Sequence, residues 1–234
     1  MNYIIGDIHG MYFKLKNLIT FISKRDSKPR FIFVGDYINK GPDSKKVLDF
    51  LKKLNLKFEC VFILGNHEFF LLNSNLYKRE LAEKGGNITL KNFQLNTFDE
   101  LSKHLLQEYD FIFKKFKLYY IISDYVVSHS GINPRKIKLP LNHMDMSDFL
   151  FNRIDFLKYN KKYLNKYKFI FGHTAFNSVF YDGVKIGIDT GACYDRIQPL
   201  TCFCVEKSIF VDSFKREYNI ASIKKNTLPL IIMK

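Results

Sequence analysis

The stretch FVGDYINKGPDS, residues 33–44, ends an apolar run with Gly35 and Asp36 and then enters a turn marked by glycine and proline. An aspartate in this setting commonly does no more than shape the turn. Asp36 has two counterparts, because Asp7 and Asn66 also follow an apolar run and a glycine. Neighbours in this series are about 30 residues apart, the length of one strand–helix–strand unit, so parallel strands would bring all three positions to one edge of a sheet.

Short apolar or β-branched runs predict eight strands, and amphipathic segments predict two helices between the first three of them. The helices cover Met11 to Ser23 and Ser44 to Leu54, and the second has an apolar stripe opposite its lysines. The strand runs are YII (3–5), RFIFV (30–34), CVFIL (60–64), YIIS (120–123), YVVSHS (125–130), FIFG (169–172), KIGID (185–189) and TCFCV (201–205).

The region from Phe69 to Phe116 alternates helical patterns with a glycine break and contains no second set of strand-end ligands, so we expect a helical excursion at residues 69–116. The later strands follow one another at shorter intervals, which predicts that the second half adds a second sheet. The predicted fold class is α/β, a two-sheet α/β sandwich with flanking helices in a single domain over residues 1–234. The lysine-rich tail after Val205, which ends in LPLIIMK at residues 228–234, is expected to add an edge strand or to cover an apolar patch.

The 234 residues are 47% hydrophobic and 26% charged, an ordinary composition for one globular domain. No signal-peptide pattern opens the chain and no apolar segment reaches the length of a membrane span, so we expect a soluble cytoplasmic protein with no membrane partner and a monomer as the default. The formal charge of +14 would suit nucleic acid. Only seven of the 37 basic residues are arginine and the basic residues are scattered, so we expect no specific nucleic-acid binding.

The four cysteines do not have the paired spacing of a zinc knuckle, and we interpret all four as structural thiols. Two of them, Cys202 and Cys204, lie two residues apart on a predicted strand and would share one face, which leaves redox or metal chemistry open there. The other two are Cys60 and Cys193.

Four of the six histidines follow apolar runs in turn-like contexts. A single histidine of this kind is usually a hydrogen-bonded structural residue. Four of them, together with two aspartates and an asparagine, indicate a metal centre, because imidazole and carboxylate suit Mn, Fe and Zn ions. An aspartate bridging two ions would give a dinuclear centre, which favours hydrolysis of phosphate esters. The residues concerned are His9, His67, His129, His173, Asp7, Asp36 and Asn66.

The motifs GDIHG, GDYINKGPDS, GNHE, SHSG and GHT, in this order over residues 6–174, resemble the metal-binding signature of the calcineurin-like metallophosphoesterases. More narrowly, they resemble the phosphoprotein phosphatase superfamily. Three further stretches are similar to small bacterial and phage serine/threonine protein phosphatases: GGNITL (85–90), FLFNR (149–153) and KIGIDTGACYD (185–195). The resemblance therefore covers most of the chain.

The resemblance implies two divalent metal ions, with Mn²⁺ expected and Fe or Zn as alternatives. One ion would be held by Asp7, His9 and Asp36, and the other by Asp36, Asn66, His129 and His173, so Asp36 would bridge them. By the same resemblance, His67 would be the general acid that protonates the leaving group. Arg153 and Lys40 would hold the non-bridging oxygens of the phosphate.

The chain departs from the family pattern at Asn39 and Lys40, where the pattern has aspartate and arginine. An asparagine can accept a hydrogen bond from His67 but supplies no negative charge, so His67 is expected to lose its proton more easily and to be a weaker partner in catalysis. Lys40 keeps the positive charge but lacks the two-pronged fork of arginine. A nearby carboxylate, Glu68 or Asp43, would be able to supply the missing charge.

The function implied by the resemblance is a metal-dependent phosphomonoesterase of the serine/threonine protein phosphatase type, acting on a phosphorylated protein or a small phosphoester. A symmetrical diadenosine tetraphosphate hydrolase is similar in its motifs and cleaves a phosphoanhydride instead. A phosphate-binding pseudophosphatase is the third alternative, because Asn39 and Lys40 alter residues implied to take part in catalysis.

Overall fold

A computed structural model of the chain describes residues 1–159 and 167–224. In its first part, three parallel strands alternate with two helices, in the order β1 (Asn2–Ile5), α1 (Tyr12–Ser23), β2 (Arg30–Phe33), α2 (Ser44–Lys57) and β3 (Cys60–Phe62). Strand β1 pairs with β2, and β2 pairs with β3. The parallel arrangement predicted from the spacing of the apolar runs is confirmed.

Five helices follow, and the structure shows no strand among them: α3 (Asn66–Leu72), α4 (Lys78–Glu83), α5 (Gly86–Phe93), α6 (Phe98–Glu108) and α7 (Asp110–Phe113). Helix α6 begins with a capping box, in which the Thr97 side chain accepts from the Glu100 backbone and the Glu100 side chain accepts from the Thr97 backbone. The predicted helical region, residues 69–116, coincides with these helices to within a few residues.

The second sheet has the strand order β4-β5-β6-β8-β7, and its central strands β5, β6 and β8 are parallel. The order along the chain is β4 (Tyr119–Ile122), β5 (Tyr125–Ser128), α8 (Ser147–Leu150), α9 (Ile154–Lys158), β6 (Lys168–Phe171), β7 (Phe180–Tyr181) and β8 (Lys185–Gly187). The two-residue strand β7 has no counterpart among the sequence predictions, because two residues are too few to show a period.

The chain then returns to the first sheet through β9 (Thr201–Cys204), β10 (Ile209–Asp212) and β11 (Glu217–Asn219). Strand β9 pairs antiparallel with β1 and completes a sheet of order β11-β10-β9-β1-β2-β3. The predicted run 201–205 therefore belongs to the first sheet, because the partner of a strand depends on contacts far away along the chain. Strand β11 lies at the edge of this sheet and agrees with the edge strand expected after Val205, whereas β10 was not predicted.

Side-chain alternation along the strands divides the core into layers. In β2, Phe31 and Phe33 pack with the helices α1 and α2, whereas Ile32 points into the layer between the two sheets. Val127 of β5 and Ile170 of β6 belong to that same middle layer. The predicted two-sheet sandwich with flanking helices is confirmed.

Cys202 and Cys204 share the face of β9 that joins the helical layer of the core. All four cysteines are free thiols, and burial raises the pKa of Cys60 and of Cys193 to about 12. The tail LPLIIMK (228–234) lies outside the described residues. Among the described residues, no helix is both long and apolar enough to cross a membrane.

Lys185, at the start of β8, holds the end of α9 by hydrogen bonds. Its side chain is only 1% exposed, and Nζ donates to the carbonyls of Phe156 (2.9 Å), Leu157 (2.7 Å) and Tyr159 (3.0 Å). We expect Lys185→Met to lower the free energy of unfolding by at least about 3 kcal/mol, because each of the three acceptors that loses its donor costs roughly 1–3 kcal/mol. Denaturant titration measures this change.

Lys168→Met is the matched control, because Lys168 lies on the neighbouring strand β6 and makes a half-exposed ion pair with Asp124 at 2.8 Å. Such surface pairs contribute about 0–1 kcal/mol. Equal losses in the two variants would contradict the structural role assigned to Lys185.

Candidate dinuclear metal centre

The residues that follow five of the strands meet at one place, near the carboxyl ends of these strands. Asp7 and His9 follow β1, Asp36 follows β2, Asn66 begins α3 after β3, His129 follows β5 and His173 follows β6. Parallel strands place their carboxyl ends at a common edge, where ligands of α/β proteins bind. All six residues predicted as metal ligands meet there, and all but the partly buried His173 are buried.

Asp36 lies at the centre of this cluster. Its Oδ2 atom is 3.3 Å from Nε2 of His9 and 3.9 Å from Nε2 of His67, while its Oδ1 atom is 3.5 Å from Nε2 of His129. Two groups of donor atoms able to hold a metal therefore share Asp36, one with His9 and His67 and the other with His129 and His173. Within each group the donor atoms lie within 4.8 Å of one another.

The backbone orients two of the rings by hydrogen bonds at Nδ1, to Ile38 O for His9 (3.1 Å) and to Val34 O for His129 (2.9 Å). A carbonyl only accepts, so Nδ1 donates in both rings and the Nε2 lone pair of each neutral imidazole is directed into the cluster. Nε2 of His129 then faces Oδ1 of Asn66 at 3.0 Å, although both atoms are acceptors. A cation between them would satisfy both.

Asp7 supplies a second sign that the cluster fits cations. Its Oδ2 atom accepts from the backbone N–H of His173 at 2.9 Å, whereas its buried Oδ1 atom has no hydrogen-bond partner among the described residues. Burial, followed by the charges of Asp189 and Asp36, raises the pKa of Asp7 well above its ordinary value. Gly172 packs so closely that any Cβ there would collide with the Asp7 carboxylate.

Glu68 fixes the loop that carries Asp36. Its fully buried carboxylate accepts three backbone N–H groups in succession, those of Asp36 (3.0 Å), Tyr37 (2.9 Å) and Ile38 (3.2 Å). Burial and the charge of Asp36 raise the pKa of Glu68 to about 8, and the three N–H donors act in the opposite direction. Glu68 therefore holds the loop that carries Asp36 through these three backbone hydrogen bonds.

Five non-glycine residues of the cluster have left-handed backbone conformations, with φ between 45° and 70°. Such a conformation costs about 1–2 kcal/mol per residue, so the surrounding contacts must impose it. The residues are His9, Asp36, Asn39, Lys40 and His173.

His67 is held by Asn39, but not in the way predicted from the sequence. The amide nitrogen of Asn39, which only donates, is 3.0 Å from Nδ1 of His67, and its Oδ1 atom accepts from the Thr89 hydroxyl at 2.8 Å. Nδ1 of His67 therefore accepts, and the ring is a neutral imidazole with its proton on Nε2. Burial, with smaller effects from the charges of His9, Lys40 and His129, lowers the pKa of His67 well below its ordinary value, and Asp36 opposes them.

Asp43, the other carboxylate considered for His67, forms an ion pair with Lys46 at 2.6 Å. Lys40 lies on the His9 side of the cluster, with Nζ 2.9 Å from Nε2 of His9 and 3.1 Å from the Tyr194 hydroxyl. Arg153 is exposed at the start of α9, and its guanidinium has no hydrogen bond to the described residues. Its charge still contributes, after burial and His129, to a lowered pKa of His173.

Three residues of the site were missed by the sequence analysis. Asp189 follows β8, is buried, and burial raises its pKa to about 6. The pattern used for the other ligands, a polar residue after an apolar run, would have found it. Thr89 and Tyr194 carry no such signal, because each reaches the site from a segment distant in sequence.

A family model described as calcineurin-like phosphoesterase matches residues 3–220. A curated relative from Nitrosospira multiformis, named bis(5'-nucleosyl)-tetraphosphatase, symmetrical, is 33% identical over 133 residues. The match covers 56% of this chain and 44% of that protein, so the chain spans less than half the length of that relative.

Two solved structures have the same fold. A structure titled as a putative diadenosine tetraphosphatase superimposes with a TM-score of 0.62 at 21% identity, and covers 90% of this chain and 91% of its own. A cold-active protein tyrosine phosphatase gives a TM-score of 0.70 at 16% identity, with 93% and 77% covered. At these identities the likeness concerns the fold alone.

We expect Asp36→Asn and His173→Ala each to lower the Mn²⁺ content of the protein and to abolish turnover. Asp36 contributes to both donor groups, and His173 contributes to one of them. Elemental analysis after Mn²⁺ loading and desalting measures the metal content. His143→Ala is the control, since His143 is exposed and belongs to neither donor group. Full metal content and activity in Asp36→Asn would contradict the arrangement.

We expect Glu68→Gln to lower the free energy of unfolding by about 1–3 kcal/mol, because an amide presents one acceptor oxygen and leaves one buried N–H donor unpaired. Mn²⁺ affinity should fall in parallel as Asp36 loses its fixed position. Glu83→Gln, which changes an exposed ion pair with Arg79, is the control. Wild-type stability and metal affinity in Glu68→Gln would show that the three N–H bonds do not position Asp36.

Proposed function

This chain belongs to the calcineurin-like phosphoesterase family, and we propose that it is a metal-dependent hydrolase that cleaves phosphoanhydride bonds of nucleotides. The observation that carries this proposal is the hydrogen bond from the Asn39 amide to Nδ1 of His67. Dinucleoside tetraphosphates are the first substrates to test, since the curated relative described above is named for them.

The donor set fits two divalent ions, and Mn²⁺ is the ion we propose, because imidazole, carboxylate and amide oxygen ligands occur together. Ions bound there would act as Lewis acids and lower the pKa of water, so that it attacks phosphorus. His9, Asp7 and Asp36 would hold one ion. Asp36 would share the other with the group Asn66, His129 and His173.

The protonation state of His67 decides which leaving groups the site can assist. An alkoxide released from phosphoserine is a poor leaving group and needs a proton from an acid. With Asn39 donating to Nδ1, His67 is a neutral imidazole, whose Nε2–H can donate a hydrogen bond but is a weak acid. A nucleoside diphosphate leaves as a stable anion and does not need that proton, which favours anhydride substrates.

Two positively charged side chains are suited to bind the phosphate groups. Arg153 has its guanidinium uncommitted among the described residues and lies close enough to influence the pKa of His129 and His173. Lys40 is a point charge on the opposite side, next to His9. A polyphosphate chain has charges to engage both, whereas a single phosphate group has fewer.

A phosphomonoesterase of the serine/threonine protein phosphatase type is the second candidate. The segment GGNITL, which resembles those phosphatases, supplies Thr89 to the network around Asn39 and His67. The similarity to a solved serine/threonine phosphatase from Saccharomyces cerevisiae concerns the fold alone, at 16% identity and a TM-score of 0.52.

Turnover of diadenosine tetraphosphate, p-nitrophenyl phosphate and a phosphoserine peptide, each with Mn²⁺ added or chelated, tests the proposal. We expect the anhydride to have the highest kcat/KM and the phosphoserine peptide the lowest, with all activity lost on chelation. A phosphoserine peptide that turns over fastest would favour the second candidate. Mn²⁺ and phosphate binding without turnover of any substrate would show a pseudophosphatase.

We expect Asn39→Asp to raise phosphoserine turnover by roughly tenfold more than turnover of p-nitrophenyl phosphate, because a carboxylate next to Nδ1 stabilises the protonated ring and general acid catalysis contributes at least this much. The nitrophenolate leaves without a proton and should change little. Asn87→Asp, an exposed change of the same charge on α5, is the control. Equal changes for both substrates would rule out a role of Asn39 in leaving-group selection.

A further inference from the structure

An aromatic side chain stands at the edge of the metal cluster. The hydroxyl of Tyr194 is 3.1 Å from Nζ of Lys40, and that ammonium is 2.9 Å from Nε2 of His9. Tyr194 is thus separated from a predicted metal ligand by one lysine side chain. Nothing in the predicted catalytic set uses this tyrosine.

Lys14 of α1 holds the loop that carries Tyr194. Its Nζ atom donates to three carbonyls of this loop, those of Ala192 (2.8 Å), Asp195 (2.8 Å) and Gln198 (2.5 Å). Burial lowers the pKa of Lys14, while Cys193 and Asp195 oppose the shift. Three bonds from one fixed helix leave the loop few alternative positions, so Tyr194 is presented in a set orientation.

The ring of Tyr194 remains open to solvent, with 46% of the side chain exposed. The Lys40 ammonium is 5.0 Å from the ring centroid but 3.1 Å from the hydroxyl, so it lies at the hydroxyl end and does not cover the ring face. Among the described residues, no other aromatic ring packs on Tyr194. The Tyr194 hydroxyl is therefore held by Lys40, while the face of its ring stays exposed beside the metal cluster.

We propose that Tyr194 is a stacking platform for a nucleobase, and that Lys40 binds the phosphate chain between that base and the metal cluster. Stacking of a base on an aromatic side chain strengthens binding by roughly tenfold or more and tolerates any base, because every base has a π face. The proposal deepens the proposed function and rests on it, since it assigns the nucleotide part of the substrate to a particular side chain.

A different role for Tyr194 would be to hold Lys40 through its hydroxyl alone. Two substitutions separate the two roles. Tyr194→Leu removes both ring and hydroxyl, whereas Tyr194→Phe removes the hydroxyl and keeps the ring. Tyr194 is exposed, so neither variant disturbs the buried core.

The test measures calorimetrically the affinities of the Mn²⁺-loaded protein for AMP and for ribose 5-phosphate, which lacks the base. We expect wild type to bind AMP about tenfold more tightly, in line with the energy of one stacked base. Tyr194→Leu should bring the two affinities to within about twofold of each other, and Tyr194→Phe should keep most of the preference. Phe214→Leu, a half-exposed aromatic between β10 and β11, should leave it unchanged.

Equal weakening of both ligands by Tyr194→Leu would overturn the proposal, as would a wild-type protein with no preference for AMP. If the protein hydrolyses diadenosine tetraphosphate but does not prefer AMP to ribose 5-phosphate, the proposed function is supported and the stacking role is excluded. A preference for AMP that depends on the ring, in a protein that hydrolyses no anhydride, would support the platform and remove the proposed function.

Discussion

The carboxylate of Glu68, accepting the backbone N–H groups of Asp36, Tyr37 and Ile38, is the constraint on which the site depends. Asp36 has a φ of 53°, in the left-handed region that residues other than glycine adopt only at a cost. With the backbone held this way, the two oxygens of Asp36 face different histidines, Oδ2 towards His9 and Oδ1 towards His129. One buried glutamate thereby creates the shared position between the two donor groups.

Buried negative charge explains why this arrangement calls for cations. Asp7, Asp36 and Asp189 lie in one buried cluster, and burial together with mutual repulsion raises the pKa of Asp7 and of Asp189. Unpaired charges of this kind are costly inside a protein. Lys40 supplies one positive charge at the His9 side, whereas the pair His129 and Asn66 directs two acceptors at each other. A fold retains such unsatisfied groups where a ligand completes them.

The strand ends and their polar residues could be predicted because spacing, apolar runs and ligand chemistry are all local in the sequence. Contacts between segments that are distant in the sequence could not be predicted. Nothing near Asn39 indicates that Thr89 would accept its backbone N–H and turn its amide nitrogen towards His67. Likewise, β9 pairs with β1 across most of the chain, and the loop of Tyr194 is held by Lys14 from the first helix. Those contacts determine the orientation of the Asn39 amide towards His67 and the position of the loop that carries Tyr194.

We propose that Asp36 joins two metal sites into one centre. Electron paramagnetic resonance of the protein titrated with Mn²⁺ tests it most directly, because two ions bridged at about 3.5–4 Å couple their spins. We expect the coupled signal to grow as two ions bind per chain, and to be absent in Asp36→Asn. A spectrum of isolated Mn²⁺ at full loading of the wild-type protein would contradict it.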